Sequence, residues 1–361
     1  MPVRLGIRQR GDYGAYNAEF AVSDFPHMDA SLNRIALILA SGATPSSVML
    51  TLDMLAIAVR YPEAAGCRLE LFSVNGGEVT LTAGARIDTQ PLPASLDGFA
   101  AVIMPGFLAS DPAHLLGQLS EIWPPVIERL RQLPPETLVA ASCYGTFVLA
   151  ESGLLDGCAA TTTWWMEGFF HQRYPAVRLN AASALVDGGR CLTAGAMTAH
   201  TDLVLHVLRR QFGAALARKV GGIMLVDGAR TSQRPFVVPA RSFADPLAQQ
   251  AADWLAARLV ERVTTRQLAD ALAVSYRTLH RRFEAAVGKP PLAYLQTLRV
   301  ERAKEMLEES RLSLAQIVEK VGYADTSAFR RLFAREVGLT PAAYRQRFRQ
   351  PTTAFQGSNF S

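Results

Sequence analysis

Short, nearly continuous apolar runs alternate with amphipathic stretches up to about residue 227, and after that the pattern becomes helical throughout. IALILA (35–40), LELFSV (69–74), AAVIMPG (100–106) and TLVAASC (137–143) have no polar face, which marks strands covered on both sides. VMLTLDMLAIAVR (48–60) and IWPPVIERLRQL (122–133) lie between them as helices. Strands alternating with helices predict an α/β sandwich with a mainly parallel sheet, whose site should lie at the carboxyl ends of the strands. Helices over 199–210 and 214–220 close this domain, which spans 33–227. A polar, Gly-rich leader (1–32) precedes it, a proline-bearing linker (228–246) follows it, and a flexible tail (350–361) ends the chain.

The remaining segment, 247–349, repeats one motif. In TTRQLADALAVSYRTLHRRFEAAVG (264–288), Leu268, Ala269 and Leu272 mark the inner stripe of one helix. Ala273 and Val274 make a turn, and Leu279 and Phe283 mark the stripe of a second helix, giving a helix-turn-helix. SLAQIVEKVGYADTSAFRRLFAREVG (313–338) repeats the layout about 50 residues later, with Ile317 and Val318, a turn at Gly322, Asp325 as N-cap, then Phe329 and Phe333. PLAYLQTLRVERAKEMLEES (291–310) reads as one stiff helix between the units.

Charge sharpens this division. Of the 37 Lys+Arg and 32 Asp+Glu, 18 and 11 fall between Asp253 and Arg349, so a basic segment of net +7 is joined to a body of −2. That asymmetry is expected where the segment meets a polyanion. With Leu279 and Phe283 inward, Arg277, His280 and Arg281 face outward. With Phe329 and Phe333 inward, Ser327, Arg330 and Arg331 face outward, and Thr326 lies near the helix start. Arginine binds the O6 and N7 of guanine bidentately in the major groove, so these seven residues are the candidate DNA contacts.

Other chemistry is sparse. No apolar stretch reaches the roughly 18 residues of a membrane helix, and no signal-peptide layout opens the chain, so a cytoplasmic protein without a membrane partner is expected. Cys67, Cys143, Cys158 and Cys191 form no CxxC pair, and His200 and His206 are six apart, which suits neither disulfides nor metal. We therefore assign no metal, no cofactor and no catalytic residue. Cys143 stands out, because a buried strand runs into it just before Gly145 and a helix. A thiol on such a turn is activated in nucleophile elbows, and the Gly106 backbone faces the same place.

Two resemblances follow. RRFEAAVGKPPLAYLQTLRVERAKEML and VGYADTSAFRRLFAREVGLTPAAYRQRF resemble the AraC family DNA-binding domain, which implies that the two units occupy successive major-groove turns of promoter DNA. MPGF, SCYGTFVLAESGLLDG, ATTTWW and CLTAGAMTAHTDLVLHVLRRQFGAALARKV resemble the PfpI-like, class I glutamine amidotransferase-like domain of GlxA-type regulators, which implies a flavodoxin-like fold. An enzyme of that kind needs a His before the downstream tryptophan, and Thr163 stands there. Its usual acidic residue near the first helix is replaced by Ser46 and Ser47, with Asp53 further on. The resemblance then implies a sensor for an amine or other nitrogen compound. Its pocket would be drawn from Asp53, Gly106, Phe107, Cys143, Tyr144 and Trp164, with the aromatic rings as a wall for a cation. A homodimer is expected, with RNA polymerase as a partner where the protein activates. The alternative is a thiol-dependent amidase or peptidase built on Cys143.

Overall fold

The computed structural model describes residues 34–228 and 230–349, so the leader and the tail lie outside the described residues. The elements run β1 (Arg34–Ile38), α1 (Pro45–Ala58), β2 (Arg68–Ser73), β3 (Asn75–Thr80), β4 (Arg86–Pro91), β5 (Ala101–Met104), α2 (Pro112–Glu121), α3 (Pro124–Arg131), β6 (Leu138–Ser142) and α4 (Gly145–Glu151). They continue as β7 (Ala159–Ala160), α5 (Glu167–Arg173), β8 (Arg178–Leu179), β9 (Leu185–Asp187), β10 (Cys191–Ala194), α6 (Ala199–Phe212) and α7 (Ala214–Ile223).

The main sheet has the order β3-β4-β2-β1-β5-β6-β10-β9, parallel at its centre, with β3 and β9 antiparallel at the two edges. Its inner strands are apolar on both faces because each face meets helices. Ile38, Met104, Val139 and Ala141 pack into one core with Leu115, Ile127 and Phe147, while Ile35, Leu37, Ile103 and Ala140 pack into the other with Met54, Leu203 and Val207. The mainly parallel α/β sandwich expected from the sequence is the observed architecture. The β3–β4 ribbon escaped that reading because Asn75–Thr80 and Arg86–Pro91 are mostly polar and exposed, as edge strands are.

Seven helices follow: α8 (Pro246–Ala257), α9 (Thr265–Ala271), α10 (Tyr276–Val287), α11 (Pro291–Glu309), α12 (Leu314–Lys320), α13 (Thr326–Val337) and α14 (Pro341–Phe348). The repeat extends to the caps. Thr264 with Gln267 and Ser313 with Gln316 form capping boxes at α9 and α12, and Gly288 and Gly338 end α10 and α13 in the left-handed conformation, with φ of 76° and 74°. Each unit has its own core, one around Leu268, Leu279 and Phe283, the other around Ile317, Phe329 and Phe333. α11 contributes Leu298 to the first and Ala303 to the second. No helix among the described residues is long and apolar enough to cross a membrane.

Candidate nucleic-acid interface and thiol pocket

Helix α10 starts at Ser275, whose hydroxyl accepts from the Thr278 amide, and it turns Leu279 and Phe283 fully inward. Arg277 and Arg281 are exposed and make no ion pair among the described residues. His280 is half-buried, tilted on Tyr276 with its Nδ1 3.3 Å from the Glu284 carboxylate, which leaves it less free than the two arginines. Tyr276 itself, 56% exposed at the first helical position, joins this face and was missed from the sequence. An aromatic residue outside the apolar stripe was the available signal. In α13 the Asp325 carboxylate accepts from the Ser327 and Ala328 amides, as the sequence pattern predicted. Ser327, Arg330 and Arg331 are exposed there and Thr326 is half-buried.

The two units are joined by α11 and a clamp. Nineteen residues at about 1.5 Å each make α11 roughly 28 Å long. Arg299 on α11 donates from Nε to Leu259 O and from Nη2 to Glu261 O, both at 2.7 Å, and its guanidinium lies 5.2 Å from the Tyr323 ring centroid. Gly322, at φ 77°, brings the turn of the second unit against that same loop, where a Cβ would stand 2.6 Å from Val260 O. Two separately cored units are thereby held in one orientation.

At the carboxyl ends of the strands, Cys143 sits on the sharp turn expected from the sequence, at φ 53°, with its amide donating to Ala194 O and Gly195 O. Gly106 is packed against it so closely that a Cβ there would lie 2.8 Å from Cys143 Cβ, and Gly145 would meet Met104 O at the same distance. The electrostatic expectation fails, however. Burial pushes the Cys143 thiol up to about 12, against a smaller lowering by the hydrogen bond from the Tyr144 amide. The hydroxyls of Thr163 and Ser47 are buried without hydrogen-bond partners among the described residues. The buried imidazole is that of His200, and both its nitrogens are engaged elsewhere, Nδ1 with Ser142 Oγ and Nε2 with Thr51 Oγ1, each at 2.8 Å. Among the described residues, no side chain hydrogen-bonds the Cys143 thiol.

Of the six residues proposed from the sequence as a pocket, Phe107 and Asp53 do not fit the role. Gly106, Phe107, Cys143 and Tyr144 come together, but Phe107 is 1% exposed and stacked on Trp123 at 5.2 Å, so its ring is core and offers no wall. Asp53 is exposed on α1, because Ser47, Thr51, Met54 and Leu55 take the inward face of that helix. Trp164 lines a cavity of about 170 Å³ beside Arg230 and Phe236, and its ring lies 5.2 Å from that of Trp165, whose Nε1 donates to the Tyr144 hydroxyl at 3.0 Å. Periodicity placed Asp53 on a helix without telling which side the sheet would cover.

The DJ-1/PfpI family model matches residues 33–210, and a helix-turn-helix domain model matches residues 268–347. Among relatives in Pseudomonas aeruginosa, the HTH-type transcriptional regulator ArgR is 30% identical over 221 residues, covering 60% of this chain and 67% of ArgR. The regulator CdhR is 26% identical over 310 residues, covering 84% of this chain and 89% of CdhR. The regulator GbdR is 26% identical over 211 residues, covering 58% of this chain and 57% of GbdR, so the likeness spans little more than half of that relative. An α/β sandwich of the DJ-1/PfpI kind joined to a duplicated helix-turn-helix domain defines a class of regulators. The chain belongs to the AraC family of transcriptional regulators, in the group that carries a DJ-1/PfpI domain.

Proposed function

We propose that the protein is a cytoplasmic regulator that binds promoter DNA through α10 and α13 in successive segments of the major groove, under the control of a small effector held by the α/β domain. The observation that carries this reading is the pair of recognition faces. Each presents two exposed arginines, Arg277 with Arg281 and Arg330 with Arg331, opposite a phenylalanine core, and α11 and Arg299 hold the faces in register. Arginine on such a face can read guanine or neutralise phosphate, and both contacts make affinity fall with salt. The α/β domain serves as a sensor and not as an enzyme, because the Cys143 thiol is buried and protonated with no side chain bonded to it among the described residues. A homodimer would double the number of engaged units and raise affinity through effective concentration, and an activator would in addition contact RNA polymerase.

The test is a titration of the full chain against the DNA immediately upstream of its own gene, at several salt concentrations. Saturable, salt-sensitive binding that weakens in Arg281→Ala and Arg331→Ala supports the reading. Folded protein that binds no duplex at low salt overturns it.

A further inference from the structure

The segment joining the two domains is not a free spacer. Gln233 is 4% exposed and inserted into the α/β domain, where its Nε2 donates to Thr162 O and Ala181 O at 2.8 Å and its Oε1 accepts from the Ala196 amide at 2.9 Å. Its neighbours grip the second helix-turn-helix unit. Arg234 Nη1 donates to Arg335 O of α13 at 3.1 Å, the Phe236 ring meets Phe348 at 5.5 Å, and Val237 O accepts from Lys304 Nζ at 3.0 Å. One short strap is therefore fastened at both ends, with Lys304 itself only 5% exposed.

Beneath this strap lies the cavity of about 170 Å³, walled by Trp164, Ala196, Thr198, Arg230, Gln233 and Phe236. Its surface is mainly apolar, with Thr198, Ser232, Gln233 and the charged Arg230 as its polar members. That guanidinium makes no hydrogen bond among the described residues, and its Nη1 is buried without a partner. It does form an ion pair with the buried Asp202, Nη1 to Oδ2 at 3.7 Å, too long for a hydrogen bond, and about a third of the Arg230 side chain stays exposed. The guanidinium N–H groups not turned to Asp202 can still meet a planar anion, which takes two parallel N–H bonds. The start of the fourteen-residue helix α6, at Thr198 and Ala199, borders the same space and adds partial positive charge.

We propose that this cavity binds a small organic carboxylate, with its anionic end on Arg230 and its apolar body between Trp164 and Phe236, and that the strap passes occupancy directly to the second helix-turn-helix unit. The proposal rests on the reading of the chain as an effector-controlled regulator and assigns the effector its site and chemistry. A plain amine has no acceptor for the Arg230 N–H groups, and Asp202 is already paired with Arg230, so a nitrogen compound fits only if it also carries a carboxylate. The ligand must bind the DNA-competent and incompetent arrangements unequally, and a wall made of the strap supplies that difference.

The experiment uses the full chain with acetate, benzoate, glycine and benzylamine as probes, followed by calorimetry and by hydrogen exchange, with and without upstream DNA. Saturable binding at millimolar concentration is expected for at least one of the carboxylates and not for benzylamine. Glycine against benzoate distinguishes an amino-acid source from a simple acid. Arg230→Gln should weaken binding at least tenfold, and Arg230→Lys should recover part of it. Exchange protection should appear at 196–199, along 230–237 and in α13. Binding of benzylamine alone overturns the chemistry, and protection confined to the Cys143 turn overturns the location. No carboxylate binding by a sample that still binds DNA overturns the proposal and leaves the regulator reading standing. A sample that binds carboxylate but no DNA counts against that reading instead.

Discussion

Arg282 grips Asp245 with two hydrogen bonds, Nε to Oδ2 at 2.9 Å and Nη2 to Oδ1 at 2.8 Å, and the same Oδ1 also caps α8 by accepting from the Leu247 and Ala248 amides. One carboxylate thus starts the first helix of the helix-turn-helix segment and ties it to α10. The hydrogen bond from Arg282 is the chief reason the Asp245 carboxyl is held below the usual carboxylate range. A depressed carboxyl contributes stability that is present above the unfolded value, near pH 4, and lost as pH falls through the folded one. Thermal melts should rank wild type above Asp245→Asn and that above Asp245→Ala at neutral pH. The spacing between them should shrink in acid. Equal melting temperatures at pH 7 would contradict the assigned cap and pair.

Arg281 and Arg331 are exposed and unpaired, whereas their neighbour Arg282 is committed to Asp245. Replacing Arg281 or Arg331 with Ala should leave stability unchanged within about 0.5 kcal/mol and cost about 1 to 3 kcal/mol of DNA affinity where the side chain reads a base. Where it touches phosphate, the salt slope should drop by about one. Arg282→Ala should show the reverse pattern, with lost stability first. DNA titrations beside denaturant melts separate the two outcomes.

The turns of the two units take the same left-handed step, but with different residues, Ala273 at φ 54° and Gly322 at φ 77°. A Cβ in that region is strained by about 1 kcal/mol or more. Ala273→Gly should therefore stabilise the chain by about 0.5 to 1 kcal/mol, its benefit reduced by the freer unfolded state. Gly322→Ala should destabilise it by at least about 2 kcal/mol, since the new Cβ adds a clash with Val260 O to the same strain. Urea titrations of both variants would refute the turn geometry if the signs came out reversed.

His200 is fully buried between Ser142 and Thr51, and desolvation lowers its pKa to about 4 from 6.5. The unfolded chain then binds a proton between these values that the folded chain refuses. Stability from this site is whole above pH 6.5 and falls away as pH drops towards 4, by up to about 3 kcal/mol. His200→Gln should flatten that part of the pH profile of unfolding free energy, and an unchanged slope would show that another group is responsible.

Cys143 should behave as an inert core thiol. Its alkylation by iodoacetamide, followed on the Cys143 peptide by mass spectrometry, should rise with pH towards a midpoint near 12 in the folded chain. In denaturant the midpoint should fall to about 8.5. Cys143→Ala should bind upstream DNA within about twofold of wild type, a change of about 0.4 kcal/mol. Rapid labelling at neutral pH would restore the thiol-enzyme alternative.

Much of this protein was legible along the chain because its signals are local. The both-sided apolarity of IALILA and TLVAASC announces strands covered on two faces, and the stripes of Leu279 with Phe283 and Phe329 with Phe333 announce helices with one wet side. A residue's own neighbours in sequence suffice for these, since a strand or helix period is written within a few residues. The exposed arginines of α10 and α13 follow from the same periodicity, and so does the cap at Asp325.

What lay beyond reach depends on residues distant in sequence and meeting in space. Cys143 reads as an activated nucleophile until packing buries it, because desolvation is set by Gly106 and the helices over the sheet, not by the turn that carries it. Asp53 reads as a pocket residue until the sheet decides which side of α1 is covered. Arg299 on Leu259 and Glu261, Arg282 on Asp245, and the strap at Gln233 and Phe236 join segments with no local pattern to couple them. The sequence alone determined that there would be a parallel sheet, a duplicated helical reader and a basic face. Tertiary packing alone decided which thiol is silent, which arginines are free, and where the two halves touch, because burial and charge pairing exist only once the chain has folded upon itself.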